Sequence, residues 1–162
     1  ILVTHDQEEA LEVADKIVVM NQAKIEQIGA PEEVFHSPAN EFVMDFLGHV
    51  NVFHGRVENG QARLTDIGSK LGWNREAFGS AVYVRPHELE IHRGEEGDGI
   101  RGTVRRIHLA GACAKVVVAS ASGNEVVAEV SFDRFHQLAL QSGETVFVSA
   151  KKARVFTPDY EI

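Results

Sequence analysis

Two short strings hold the residues best suited to chemistry. The first is Thr4-His5-Asp6-Gln7, four polar side chains that follow Ile1-Leu2-Val3 and run at once into an amphipathic segment. A short continuous apolar run ahead of a helix predicts a strand buried on both faces of a parallel sheet. Ligands of such sheets sit outside the carboxyl ends of the strands, which is where His5 falls. A neutral imidazole at that junction can hydrogen-bond a phosphoryl oxygen and an attacking water, and so position a reaction governed by electrostatics. It can equally be a hydrogen-bonded core histidine. The second string is Val84-Arg85-Pro86-His87-Glu88. Proline removes a ladder donor, so the strand ends or bends there. The guanidinium of Arg85 suits a bidentate grip on an oxyanion, and it can also pair with Glu88 or Glu90. The ion-pair reading is the stronger of the two.

Other chemistries find little support. His49 and His54 are five apart, as are His87 and His92. In an extended strand that odd spacing sends the two rings to opposite faces. One cysteine, Cys113, cannot build a structural zinc site, so no metal is expected. No glycine-rich run leads to a Lys-Ser/Thr pair at a helix start, and neither a serine nor Cys113 stands in a nucleophile elbow. The formal charge of −8 argues against nucleic acid or an anionic membrane surface. Arg101, Arg105 and Arg106 are the one basic cluster and read as a solvated face. The single cysteine excludes an intrachain disulfide and fits a reducing, cytoplasmic compartment. No apolar run approaches the ~20 residues that span a bilayer, and no signal peptide is read. Any membrane association is expected to go through a protein partner.

The elements that must position these residues change character near Gly48. Before it, Asp6 is placed to cap a helix from Gln7 to about Ala14, with Glu9 completing a capping box. Ile17 to Met20 and Lys24 to Ile28 predict paired strands around a turn at Asn21-Gln22-Ala23. Pro31 opens a short helix to about His36. A second helix, about Asn40 to Leu47, puts Phe42, Val43, Phe46 and Leu47 on one side and stops at Gly48. Beyond Gly48 the candidates are short strands: Val50 to Val57, Ala81 to Arg85, Leu89 to His92, Ile100 to Leu109, Ala114 to Ala119, Val126 to Val130 and Thr145 to Ser149. Asn59-Gly60, Gly97-Asp98-Gly99, Ser122-Gly123-Asn124 and Ser142-Gly143 mark turns between them, and Phe132 to Leu140 reads as one helix. The expected fold class is α+β: a small α/β segment over 1–48, then an all-β barrel over 49–162. A five-stranded oligonucleotide/oligosaccharide-binding (OB-like) barrel is one standard solution for such short strands.

The string Leu2-Val3-Thr4-His5-Asp6-Gln7-Glu8-Glu9-Ala10 resembles the switch-histidine loop of ATP-binding-cassette import ATPases. The resemblance continues in order through Ala14 to Met20, Ile25 to Val34, Ser37-Pro38 and Phe42 to Gly48. Val84 to Ile91 is similar to the transport-associated (TOBE) barrel of the sulfate/thiosulfate importer branch, and Ser149 to Phe156 fits that branch too. The resemblance implies a C-terminal piece of an ATPase subunit, a remnant of the nucleotide-binding domain followed by a regulatory barrel. It implies that His5 contacts the terminal phosphate of ATP and the hydrolytic water in the parent protein, where ATP and magnesium are the cofactors. The piece alone is expected to turn nothing over and to hold no cofactor. Implied partners are a second copy of the subunit and integral permease subunits at the inner face of the plasma membrane. An exposed Ile1–Thr4 edge is expected to pair two copies of the piece. The alternative is an oxyanion sensor built on Arg85, or a dimerisation module, in a molybdate, polyamine or sugar importer. One departure from the relatives is Ala23, where they commonly carry glycine; Asn21 is expected to take the left-handed geometry in its place.

Overall fold

The computed structural model describes residues 1–58, 61–67, 80–94 and 99–156. The chain is mostly β with few helices and divides into two compact units, Ile1–Val50 and Asn51–Ile162.

In the first unit, α1 (Gln7–Val13) starts at Asp6, whose carboxylate accepts the Glu9 N–H at 3.0 Å. It is followed by the antiparallel hairpin β1 (Ile17–Asn21) and β2 (Lys24–Gly29), then α2 (Pro31–His36) and α3 (Glu41–Phe46). Period-two alternation turns Ile17 and Val19 into a small core with Val34, Val43 and Leu47, against which Leu11, Phe35, Phe42 and Phe46 pack. The opposite face of the hairpin, with Val18 paired to Ile28 and Met20 to Ile25, is exposed. Side-chain amides hold the connection between α2 and α3. Gln27 accepts the Ala39 N–H at 2.8 Å and donates to the Ser37 carbonyl at 3.0 Å. Asn40 caps α3 through the Val43 N–H at 2.9 Å and donates to Glu26 at 2.8 Å.

Two expectations for this unit need correction. Ile1 to Thr4 form no strand, and Ile1, Leu2 and Val3 are exposed. A parallel strand is held by the ladders on its flanks, and none of the described residues supplies one. The left-handed residues of the hairpin are Gln22 (φ 46°) and Ala23 (φ 62°), and Asn21 has no positive φ. With Asn21 paired to Lys24, the loop is two residues long, and the turn that matches strand twist then requires positive φ at both central positions.

The second unit contains two antiparallel sheets. β3 (Asn51–Glu58) lies between β4 (Gln61–Ile67) and β5 (Ser80–Val84). A single 3-10 turn, Pro86–Glu88, leads to β6 (Leu89–His92). Then come β7 (Ile100–Ala110), β8 (Cys113–Ala119), β9 (Glu125–Ser131), α4 (Phe132–Leu138) and β10 (Thr145–Ala150). The five-stranded sheet has the order β6-β10-β7-β8-β9, and it curls until its edge strands β6 and β9 meet. Inward side chains of both sheets share one core: Phe53, Ile67, Val82 and Val84 from the first, and Ile91, Val104, Val116, Val118, Val126, Val146 and Val148 from the second. Each fully buried Val or Phe contributes roughly 1.5–3 kcal/mol.

The expected strands fall in both sheets, Val50 to Val57 and Ala81 to Arg85 in the three-stranded one, and β4 is the strand that was not foreseen. β4 is absent from the sequence reading because the alternation of Gln61 to Ile67 is short, carries only Ala62 and Leu64 before it breaks at Asp66, and so gives a weak strand signal. Asn59-Gly60 and most of Gly97-Asp98-Gly99 lie outside the described residues. Gly123 (φ 85°) and Gly143 (φ 89°) stand in turns as expected. Asn51 joins the two sheets. Its amide donates to the Val127 carbonyl at 2.9 Å and accepts the Val127 N–H at 2.8 Å, so one side chain imitates a strand on the edge of β9.

Candidate functional site

His5 is exposed, at the bend that leads into α1. Its backbone is bracketed by short-range hydrogen bonds. The Thr4 hydroxyl accepts the Asp6 N–H at 2.9 Å and donates to Glu9 Oε2 at 3.1 Å, while Asp6 accepts the Glu9 N–H. The capping-box expectation had the Glu9 carboxylate reaching the Asp6 N–H directly; here Thr4 stands between them. Residues 4 to 9 thus form a closed polar ring that fixes the backbone on both sides of His5. The imidazole remains open to a group approaching from solvent, a geometry suited to donating its ring N–H to a phosphoryl oxygen.

Arg85 is placed differently. It follows β5 directly and is only 2% exposed. Its N–H donates to Glu88 Oε2 at 3.2 Å, and the Glu88 N–H donates to the Arg85 carbonyl at 3.0 Å, which closes the 3-10 turn around Pro86. The guanidinium that grips the Glu88 carboxylate is that of Arg154, with Nη1 2.8 and 3.1 Å from its two oxygens. Burial pushes the Glu88 carboxyl up. The Arg154 hydrogen bond, the Arg85 N–H and the charges of Arg154 and His87 outweigh this and hold it below its ordinary value. Burial and the charge of Arg154 lower the Arg85 guanidinium, and Glu88 opposes both. The cluster is an ion triad of Arg85, Glu88 and Arg154: the Arg154 guanidinium grips the carboxylate, the charge of Arg85 is felt by both partners, and the anion is a side chain of the protein.

Arg154 is the residue that sequence reasoning missed here. It and Glu88 both stand in strings singled out for their family resemblance, and that was the only signal linking the two strings. Around the pair, Tyr83 and Arg154 exchange two backbone hydrogen bonds (2.8 and 3.0 Å), Lys151 N–H donates to the Glu88 carbonyl at 2.8 Å, and the Tyr83 and Phe156 rings lie 5.4 Å apart. The remaining candidates do not gather. His49 and His87 are exposed, His54 is half-buried in β3, and His92 Nε2 lies 3.0 Å from Ser149 Oγ. Among the described residues no group of three His, Cys, Asp or Glu side chains could hold a metal. No described helix is long and apolar enough to cross a membrane.

Residues 82–157 match the TOBE domain family, and residues 51–91 match the CysA C-terminal regulatory domain. The chain is 46% identical over 98% of its length to the sulfate/thiosulfate import ATP-binding protein CysA of Halalkalibacterium halodurans. It is 45% identical over 96% of its length to that of Nitrosomonas europaea, and 43% identical over 98% to one from Bacillus cereus. It spans just under half the length of these relatives, 46%, 45% and 46% in turn. Among solved structures, the cytoplasmic molybdate-binding protein ModG with molybdate bound aligns over 68% of this chain and 96% of its own. That match has 16% identity and a TM-score of 0.47, a likeness too loose to bear on ligand or mechanism. Over nearly its whole length the chain is thus homologous to sulfate/thiosulfate import ATP-binding proteins, and its residues 51–157 belong to the family of their C-terminal regulatory and TOBE domains.

Proposed function

We propose that the chain serves as the C-terminal part of the ATP-hydrolysing subunit of an importer for sulfate or thiosulfate. In this reading Ile1–Val50 is the end of a nucleotide-binding domain, and Asn51–Ile162 is the regulatory domain attached to it. The observation that carries the reading is the 46% identity over an alignment that covers 98% of the chain, and so takes in both units.

His5 is the one residue of this chain proposed to act on nucleotide. Its imidazole would hydrogen-bond the terminal phosphate of ATP and the attacking water, held in place by the Thr4–Asp6–Glu9 ring. ATP and magnesium supply the phosphoryl group and its charge neutralisation when bound. The phosphate cradle would come from residues outside these 162, because no glycine-rich loop with a Lys-Ser/Thr pair occurs among them. Proposed partners are a second copy of the subunit and the permease subunits of the importer, with the protein held at the inner face of the plasma membrane through the permease. The chain as it stands is proposed to self-associate through residues 1–14, where Ile1, Leu2, Val3 and Val13 are exposed. Light scattering with and without those residues tests this.

The deciding experiment is hydrolysis and nucleotide binding by the full-length subunit with His5→Ala. A contact made chiefly in the transition state lowers turnover far more than it weakens ATP binding. Severe loss of hydrolysis with binding nearly intact is the expected outcome. Equal loss of both would make His5 a structural residue and remove the assignment. The 162-residue chain alone is expected to hydrolyse nothing; turnover that His5→Ala abolishes would overturn the reading.

A further inference from the structure

We propose that residues 151–156 form a strap that opens and closes on β5 as a unit, with the Glu88–Arg154 ion pair as its clasp. The segment leaves the five-stranded sheet at Ala150, the last residue of β10, and crosses to β5 of the three-stranded sheet. Among the described residues, three backbone hydrogen bonds hold it: Lys151 N–H to the Glu88 carbonyl, Tyr83 N–H to the Arg154 carbonyl, and Arg154 N–H to the Tyr83 carbonyl. The pairing with β5 is an isolated bridge, whereas β7, β8 and β9 run in continuous ladders.

The materials of the contact explain why it can release without unfolding the sheets. Lys151 and Lys152 are exposed, and residues 153–156 are half-buried, so the strap covers the core edge through Ala153 and Val155 without forming its interior. The strongest contact is ionic: Glu88 and Arg154 side chains are 9% and 12% exposed. Such a pair sets one geometry firmly, yet adds little net stability over an apolar contact, because desolvation offsets the attraction. A segment with few buried apolar contacts and few backbone hydrogen bonds opens at a fraction of the global unfolding free energy. In the closed state the strap ties the two sheets at the side where β5 turns into β6. Opening frees Tyr83 at the edge of β5 and leaves Glu88 beside Arg85.

Amide hydrogen exchange by NMR on the 162-residue chain tests this. The amides of Tyr83, Lys151 and Arg154 are expected to exchange through one shared opening, faster than those of Val116 and Val118 in the central strand β8. Glu88→Gln and Arg154→Gln remove a contact that is absent from the open and the unfolded states alike, so each should speed all five amides by about tenfold or more. Val126→Ala, in the core and outside the strap, should speed Val116 and Val118 while the three strap amides change less than about twofold. Acceleration of all five amides by Val126→Ala would overturn the proposal. Should the variants fail to fold, the wild-type chain in low urea decides. A shared, weak urea dependence for the three amides supports a strap, and the strong dependence of Val116 in all of them overturns it.

Discussion

Arg154 Nη1 lies 2.8 Å from one carboxylate oxygen of Glu88 and 3.1 Å from the other, across a sequence separation of 66 residues. Glu88 is depressed below its ordinary value in the folded chain. Its contribution to stability is therefore fully present above the unfolded carboxylate pKa of about 4.3 and is lost as pH falls through the lower folded value. Glu88→Gln should cost about 2–3 kcal/mol at neutral pH, since a charged hydrogen-bond acceptor is removed from a buried site. Urea denaturation at pH 7 and at pH 3 checks both parts: the gap between wild type and variant should narrow as the acid protonates Glu88. A gap of constant size would place the ionised carboxylate outside the energetics.

Asn51 answers both backbone groups of Val127 with one side chain, at 2.9 and 2.8 Å, while only 6% exposed. Asn51→Leu keeps the approximate volume but leaves a buried N–H and a carbonyl unanswered. The expected loss is about 2–4 kcal/mol, from two unsatisfied groups at ~1–2 each. Asn51→Asp retains the acceptor and loses the donor, so its cost should include that of a buried charge. Thermal unfolding of the two variants tests this, and a change under about 0.5 kcal/mol for Asn51→Leu would show that the bridge to β9 is dispensable.

Ala23 holds φ at 62° in the hairpin of β1 and β2. The left-handed conformation costs a residue with a Cβ roughly 1–2 kcal/mol. Glycine relieves that strain but enlarges the unfolded ensemble by about 0.5–1 kcal/mol. The net expectation for Ala23→Gly is a gain of up to about 1 kcal/mol in the first unit, seen as a raised urea midpoint. Ala23→Val, β-branched at positive φ, should lose more than 1 kcal/mol, roughly the strain of a stiffer side chain in the same well. Ala139 at φ 45° ends α4 under the same strain, where the Arg93 guanidinium caps the Ala139 carbonyl at 2.9 Å.

What the sequence revealed and what it hid divide along physical lines. Helix starts at Asp6, Pro31 and Asn40 were legible because capping is local chemistry within four residues. β8 and β9 were legible because Val116, Val118, Val126 and Ala128 stand where a buried face needs them. β4 was not, since its place rests on pairing with β3 and its own residues carry little apolar signal. At the candidate sites, His5 was legible as a polar junction. The partner of Glu88 was not, because residues near Glu88 in sequence offered Arg85, and only the tertiary fold brings Arg154 closer.

The ion triad also bears on whether the second unit senses an oxyanion. Arg85 and Arg154 bring two positive charges close to one another, but the Glu88 carboxylate already holds the Arg154 guanidinium through both its oxygens. An added oxyanion would have to displace a tethered anion from the Arg154 guanidinium and give up its own hydration to do so. Calorimetric titration of the wild-type chain with sulfate and with molybdate is therefore expected to show no saturable binding at the triad. Glu88→Ala removes the internal anion and opens space beside the Arg154 guanidinium, and a buried unpaired charge is strongly unfavourable. Millimolar sulfate should then raise the unfolding temperature of Glu88→Ala, as a ligand that binds only the folded state must, and leave wild type unmoved beyond the general salt effect. Sodium chloride at equal ionic strength separates that general effect from occupancy of the site. Saturable sulfate binding by wild type that Arg85→Gln abolishes would show the opposite, that the second unit is an oxyanion receptor and Glu88 its displaceable lid.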